Sequence, residues 1–352
     1  MQFSSAVFSA LASLCLFAIS VAAAPGLSLS VSGSKKLAGV QDFKITTSLI
    51  NTGNETLKLV KDPRTILSSL PTNCFTISNA EGASPVFTGA RAKFVPEYVV
   101  ENNIEEAFVV LKPGASHVVE HDLLNSYNFT APGKGTYDIR ASNLFHHIDP
   151  ATNQIAEIRA THEKFLTASL TGTLSNARRH TSRATSQGCD PAQQKQIVSA
   201  AKAATSYASS ALSYLNSHTS ATTRYTSWFG VYSSSRHATV LNHFKAIYGY
   251  PFSGNVNYDC TCKRPGTFAY VYADQFGTIY LCNAFWTAPN TGNNSQAGTL
   301  IHESSHFTAI AGTEDYVYGP TKARNLAVND PARAIFNADN HEYFAENIAG
   351  EA

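Results

Sequence analysis

Near its carboxyl end the chain reads Thr299-Leu300-Ile301-His302-Glu303-Ser304-Ser305-His306-Phe307, and no other stretch constrains the fold as much. On an α-helix, histidines four residues apart share one face, where both imidazoles can reach one metal ion. Glu303 follows the first histidine and stands beside that ion, placed to take a proton from water. Leu300, Ile301 and Phe307 flank the motif and put the helix partly inside the protein, which argues against a surface helix with two solvated histidines. A catalytic zinc site needs a third protein ligand and one open position. Asp315 lies nine residues past His306, after Gly312, whose backbone freedom can end the helix and return the chain. Glu342 and Glu346 are the other candidates, because a Glu from a second helix is a common zinc ligand.

The amino terminus sets the expected compartment. Ala6 to Val21 is an apolar run ending in Val21-Ala22-Ala23-Ala24-Pro25, which fits a cleaved secretory signal over residues 1–23, although no Lys or Arg precedes it. A membrane anchor would need a longer apolar core and a basic cluster after it. No later segment is apolar enough to span a bilayer, so the processed product is expected to be secreted and free of the membrane. The cysteine pattern agrees with an oxidising compartment. Of the 6 cysteines, Cys15 leaves with the signal and Cys74 is alone in the first half. Cys189, Cys260, Cys262 and Cys282 form an even set, so two disulfides are expected, with three pairings open. Cys260-Thr261-Cys262 lacks the second close pair of a zinc cluster. Asn54, Asn128 and Asn293 begin glycosylation sequons. A net charge of +1 gives no strong field toward nucleic acid or an anionic membrane.

With 352 residues the chain is comfortable as two domains. From about residue 25 to 170, short runs such as 43–50, 57–60 and 107–111 alternate with turn signals such as Asn51-Thr52-Gly53-Asn54 and Lys112-Pro113-Gly114, the pattern of a β-sandwich. His146, His147 and Asp149 read as a solvated turn rather than a metal site, because neighbours in a strand face opposite ways. Residues 171–188 are Ser/Thr-rich and carry Arg178-Arg179-His180 and Arg183, the character of an exposed linker and a processing junction. Asp190 and Pro191 then open a helix whose Ile197, Ala201, Ala204, Ala208, Ala211, Leu212 and Leu215 recur at helical spacing. Residues 268–272 and 278–282 flank a turn and read as a β-hairpin, so the second half is α+β.

The H-E-x-x-H is followed by Gly312-Thr313-Glu314-Asp315-Tyr316-Val317-Tyr318-Gly319, and the two together match the aspzincin pattern H-E-x-x-H then G-T-x-D-x-x-Y-G. The segment from Cys189 to Glu346 resembles the fungal peptidyl-Lys metalloendopeptidases of the deuterolysin family, and the first half resembles that family's propeptide. The resemblance implies an α+β zincin-like catalytic domain over 184–352, with a zinc-binding helix and a β-hairpin. An all-β, sandwich-like propeptide over 24–183 would precede it. It further implies one Zn2+ held by His302, His306 and Asp315, Glu303 as general base, Tyr318 as hydroxyl donor to the developing oxyanion, and disulfides Cys189–Cys260 and Cys262–Cys282. Asp339 and Glu342 would line the S1′ pocket. At i and i+3 their carboxylates share a helix face, an arrangement that is unfavourable without a cation between them. A narrow acidic pocket suits the compact lysine ammonium better than the planar arginine fork. The implied partners are protein and peptide substrates, cut on the amino side of lysine, and the chain's own propeptide, which keeps a zymogen silent.

Two rivals stand beside this reading. One is a broad-specificity deuterolysin-like protease, for which Asp339 and Glu342 are a solvated acidic face. The other is a secreted, non-catalytic zinc-binding module, against which Glu303 argues, because an inert site has no use for a base. A Cys74 thiolate could block an open zinc position, but nothing around it specifies that, and a buried free cysteine is the stronger reading.

Overall fold

The computed structural model describes residues 25–124, 126–175 and 186–347. The expected signal segment 1–23, with Cys15, and the basic cluster from Arg178 to Arg183 lie outside the described residues. The chain is a mixture of sheets and helices.

Residues Leu27 to Thr173 are mostly strand. One four-stranded sheet runs in the order Thr161–Lys164, Leu27–Gly33, Lys44–Asn51, Ser116–Asp122. A second runs Lys36–Gly39, Leu166–Thr173, Gly135–Ala141, Phe75–Asn79, and a third Ile155–Arg159, Leu144–Ile148, Leu57–Val60, Phe108–Leu111. Period-two patterning explains how they close. In Lys44–Asn51 the inward positions Ile45, Thr47, Leu49 and Asn51 are buried. Of these, Ile45 and Leu49 meet Ile77, Ile139, Leu166, Leu170, Leu57 and Leu59 from the other sheets in one core. Cys74 belongs to that core as a free, buried cysteine, and burial pushes its thiol up to about 12. It is therefore an un-ionised packing residue, not a thiolate facing a metal. The expected solvated turn at His146 and His147 is also corrected. Both lie buried in the Leu144–Ile148 strand, and His146 Nε2 lies 2.7 Å from Lys322 Nζ, a polar contact that lets an imidazole sit inside.

Two features make this half less self-contained than its pattern predicts. A short helix, Pro96–Glu101, interrupts the strands. The strand before it, Ala90–Phe94, joins a sheet of the second half, in the order Asn257–Asp259, Thr278–Leu281, Thr267–Tyr272, Ala90–Phe94. The predicted hairpin forms one of the two antiparallel pairs within that sheet, the other being Thr267–Tyr272 with Ala90–Phe94.

The second half is otherwise helical. Asp190 caps the Pro191–Ser217 helix with a reciprocal capping box to Gln193. Its stripe of Ala200, Ala201, Ala204, Ala208 and Ala211 is buried, and such small side chains let it lie close to the helices Ser234–Tyr248 and Gln296–His306. Disulfides Cys189–Cys260 and Cys262–Cys282 tie the start of this half to its sheet. Among the described residues no helix is long and apolar enough to cross a membrane. Asn54 and Asn293 are exposed and Asn128 is half-buried.

Candidate active site

The H-E-x-x-H residues occupy the last two turns of the Gln296–His306 helix, which Ser295 caps by accepting from the Gly298 amide at 2.9 Å. Every residue of this helix is buried, so it runs through the core rather than along its edge. It stops at Phe307. The amides of Ile310, Ala311 and Gly312 all turn back onto the Phe307 carbonyl, and Gly312 takes a left-handed φ of +57° that favours glycine. The Thr313 amide then returns to the Ser305 carbonyl at 3.1 Å. That reversal delivers Asp315 to the histidines.

His302 Nε2 and His306 Nε2 lie 3.1 and 3.3 Å from Asp315 Oδ1. These three buried atoms converge, yet none has a hydrogen-bond partner. Buried polar atoms left unpaired are costly, and three of them facing one point mark a place for a cation. The backing of the ligands fits as well. His306 Nδ1 lies 2.8 Å from the Thr313 carbonyl, which fixes its proton there and leaves Nε2 free to coordinate. His302 Nδ1 lies 2.8 Å from Asp339 Oδ1. Burial works against charging His302, but Asp315, Asp339 and Glu342 push its pKa well above the usual imidazole value. Burial likewise opposes ionising Asp315, and the flanking His306 and His302 hold its carboxyl below the usual range. The surroundings thus demand positive charge at this point.

Of the three candidates for a third ligand, Asp315 is the one aimed at both histidine Nε2 atoms. A second grouping, His302 with Asp339 and Glu342, uses the other face of the imidazole and leaves His306 out. Glu346 is engaged elsewhere, accepting from the Ser295 amide and hydroxyl at 2.9 and 2.7 Å.

Glu303 is fully buried, and burial pushes its carboxyl up to about 8, with Asp315 adding to the rise and His302 opposing it. Its Oε2 has no partner. Tyr318 is buried beneath the Arg64 guanidinium, 3.9 Å from its ring centre, and burial first, then Asp315, raises the phenol well above 10, so it stays a donor. Asn337 holds the intervening loop by accepting from the amides of Tyr316 and Val317 at 2.9 and 3.2 Å.

Asp339 and Glu342 project from the Ala338–Glu346 helix, and both are buried, not a solvated face. Asp339 divides its oxygens between His302 and the Gly319 amide, the latter at 2.7 Å. Glu342 Oε1 accepts from Lys93 Nζ, and Asp339 and Glu346 add to the negative field around that ammonium. Two residues at the site escaped sequence reasoning, Lys93 and Asn337, and Glu346, a candidate ligand in the sequence, instead stands behind the pocket on Ser295. Lys93 gave no signal, because its strand comes from the first half and only the fold brings it here.

The comparisons with known proteins agree with the geometry. The aspzincin M35 family model, described as lysine-specific metallo-endopeptidase, matches residues 214–346. A Peptidyl-Lys metalloendopeptidase of Grifola frondosa is 51% identical over 346 residues, covering 97% of this chain and 98% of that protein. One of Armillaria mellea is 51% identical over 338 residues, covering 95% of each chain. A solved zinc peptidase from Grifola frondosa is 56% identical, with a TM-score of 0.46 over 47% of this chain and 100% of that one. The near-complete, majority-identical matches, and a site in which H-E-x-x-H and a downstream aspartate converge, place this chain in the aspzincin family of zinc-dependent metalloendopeptidases.

Proposed function

We propose that this protein is a secreted endopeptidase, made as a zymogen, that cuts internal peptide bonds on the amino side of lysine. The convergence of His302 Nε2, His306 Nε2 and Asp315 Oδ1, all buried and unpaired, is the observation that carries it. These three would hold one zinc ion within a zincin-like α+β domain over 184–352. Zinc bound there supplies Lewis acidity toward the scissile carbonyl and lowers the pKa of water. Glu303 takes a proton from the attacking water at its free Oε2 and passes it to the leaving nitrogen. The Tyr318 hydroxyl donates to the oxygen on which charge develops. Glu342, backed by Asp339 and Glu346, receives the substrate ammonium; that it already holds a lysine ammonium supports the lysine preference named for the relatives. The apolar run before Pro25 supports secretion, and residues 24–183 would be the propeptide, released near the Arg178–Arg183 cluster.

Metal analysis of two variants tests the assignment. Asp315→Ala is expected to lose bound zinc. Glu303→Ala is expected to keep one zinc per chain while peptide cleavage falls by about 100-fold or more. Retained cleavage in Glu303→Ala would overturn the mechanism, and full zinc binding in Asp315→Ala would remove Asp315 from the ligand set.

A further inference from the structure

The Ala92–Lys93 peptide bond meets each catalytic group in turn. The Tyr318 hydroxyl donates to the Ala92 carbonyl at 2.5 Å, and the Lys93 amide donates to Glu303 Oε1 at 3.1 Å. The Ala92 amide donates to Asp315 Oδ2 at 2.9 Å. Beyond the bond, the Lys93 side chain runs into the acidic pocket onto Glu342, with its ammonium 5.0 and 5.6 Å from the ring centres of Phe268 and Tyr343. The backbone on either side lies antiparallel along the Thr267–Tyr272 edge, with Ala269 opposite Lys93 and Val271 opposite Arg91. An extended peptide adding a strand to a sheet edge, with a side chain in a pocket, is a general way of binding peptide substrates.

Packing alone does not explain the lysine. Lys93 is the only buried lysine among the described residues, while its neighbours Ala92 and Phe94 are apolar and equally buried. Burying an ammonium costs several kcal/mol of hydration, roughly, and an apolar residue of similar size is usually as stable in such a place. A lysine belongs here if the pocket is one that recognises lysine. A cavity of about 620 Å³ lies next to the strand, lined by its Ala90 and Arg91 and by Asp315 and Tyr318.

We infer that Ala92–Lys93 is a self-cleavage site: the Ala90–Phe94 strand fills the cleft as an internal substrate, and the chain's own catalytic centre cuts that bond to open it. This rests on the peptidase reading above and adds to it the bond, the pocket's first occupant and a processing step separate from the Arg178–Arg183 junction. Glu303 takes one proton from water, the hydroxyl joins the Ala92 carbonyl carbon, and the carbon–nitrogen bond breaks. Glu303 returns the proton to the Lys93 nitrogen, leaving a carboxylate on Ala92 and a new amino terminus on Lys93. The strand then ends in two short pieces, and the pocket can exchange Lys93 for the lysine of another chain.

The full-length chain tests this twice. In its metal-free form, an amine-acetylating reagent is expected to modify Lys93 at least about tenfold more slowly than exposed Lys112. Equal rates would show that Lys93 is not held in the pocket and would overturn the inference. Zinc is then added with an unstructured reporter protein, and mass spectrometry reads every new terminus. The expected result is a chain beginning Lys93-Phe94-Val95, absent from Glu303→Ala and from Lys93→Ala. Reporter cut before its lysines with Ala92–Lys93 intact would overturn self-cleavage and leave the peptidase reading standing. Zinc-loaded chain with both reporter and Ala92–Lys93 intact would overturn self-cleavage, and the same chain cut at the Arg178–Arg183 junction and still leaving the reporter intact would overturn the peptidase reading as well. If Lys93→Ala fails to fold, the terminus map of the unaltered chain against Glu303→Ala still decides.

Discussion

Asp339 and Glu342 stand three residues apart on one helix, yet the structure divides their work. Asp339 faces His302 Nδ1 at 2.8 Å and the Gly319 amide at 2.7 Å, so it orients His302 and anchors the loop carrying Tyr318. Glu342 gives one oxygen to the lysine ammonium and lies 3.4 Å from His302 with the other. Asp339→Asn is therefore expected to weaken zinc binding by about 10- to 100-fold, since carboxylates behind a ligand histidine raise its basicity. Glu342→Gln is expected to raise KM for lysine substrates with a smaller effect on zinc. Chelator competition and steady-state kinetics on both variants check the split. The convergence of His302, His306 and Asp315 was legible in the sequence because all three lie within one short segment, where helical spacing and one glycine decide the geometry. Asp339 was legible only as an acidic neighbour of Glu342. Its turn toward His302 depends on how two helices cross, which no local pattern encodes.

That crossing depends on Gly298. A Cβ added there would press on the carboxyl of Glu346 and the stem of Glu342, and neither can yield freely, because Glu346 is tied to Ser295 and both are buried. Gly298→Ala is expected to destabilise the second half by about 1–3 kcal/mol and to blunt lysine preference, read by denaturant melts and cleavage mapping. The Cys189–Cys260 bridge closes a separation of 71 residues, and its removal is expected to cost about 4 kcal/mol, seen as a lower denaturant midpoint with a steeper slope, because the freed unfolded chain exposes more surface. The Pro191–Ser217 helix and the hairpin were readable because capping, alanine periodicity and strand alternation are local signals. The strand Ala90–Phe94 was not, because the alternation of Ala-Arg-Ala-Lys-Phe is carried by two alanines, which favour strands poorly, and its partner strand is distant in sequence. His146 and His147 were misread for a related reason. Facing opposite ways exposes one of two neighbours only when one side of the strand is open, and here both are covered.

At the scale of the whole molecule, the two halves meet at the catalytic centre: the first half supplies Arg64 over the Tyr318 ring and the strand in the cleft. The second half also carries a buried histidine pair, His243 Nδ1 lying 3.0 Å from His341 Nε2. Burial pushes His243 down to about 4, and burial and then its neighbour push His341 down to about 3. Below the ordinary value of about 6.5 the unfolded chain takes up protons that the native pair refuses, so stability present above that value is lost as pH falls toward 4 and then 3. Each histidine contributes a slope of at most about 1.4 kcal/mol per pH unit. Thermal melts of the metal-free chain from pH 7 to 4 read this slope, and His341→Gln is expected to flatten it whatever it does to the melting temperature at pH 7. The central claim remains that a zinc site formed by His302, His306 and Asp315 carries out hydrolysis and that the adjoining Glu342 pocket directs it to lysine. Its most direct test is a map of new termini from an unstructured protein digested by the processed enzyme, with and without a zinc chelator. The account predicts chelator-sensitive cuts with lysine at nearly every new amino terminus. Cuts that survive the chelator, or that fall without regard to lysine, would contradict it.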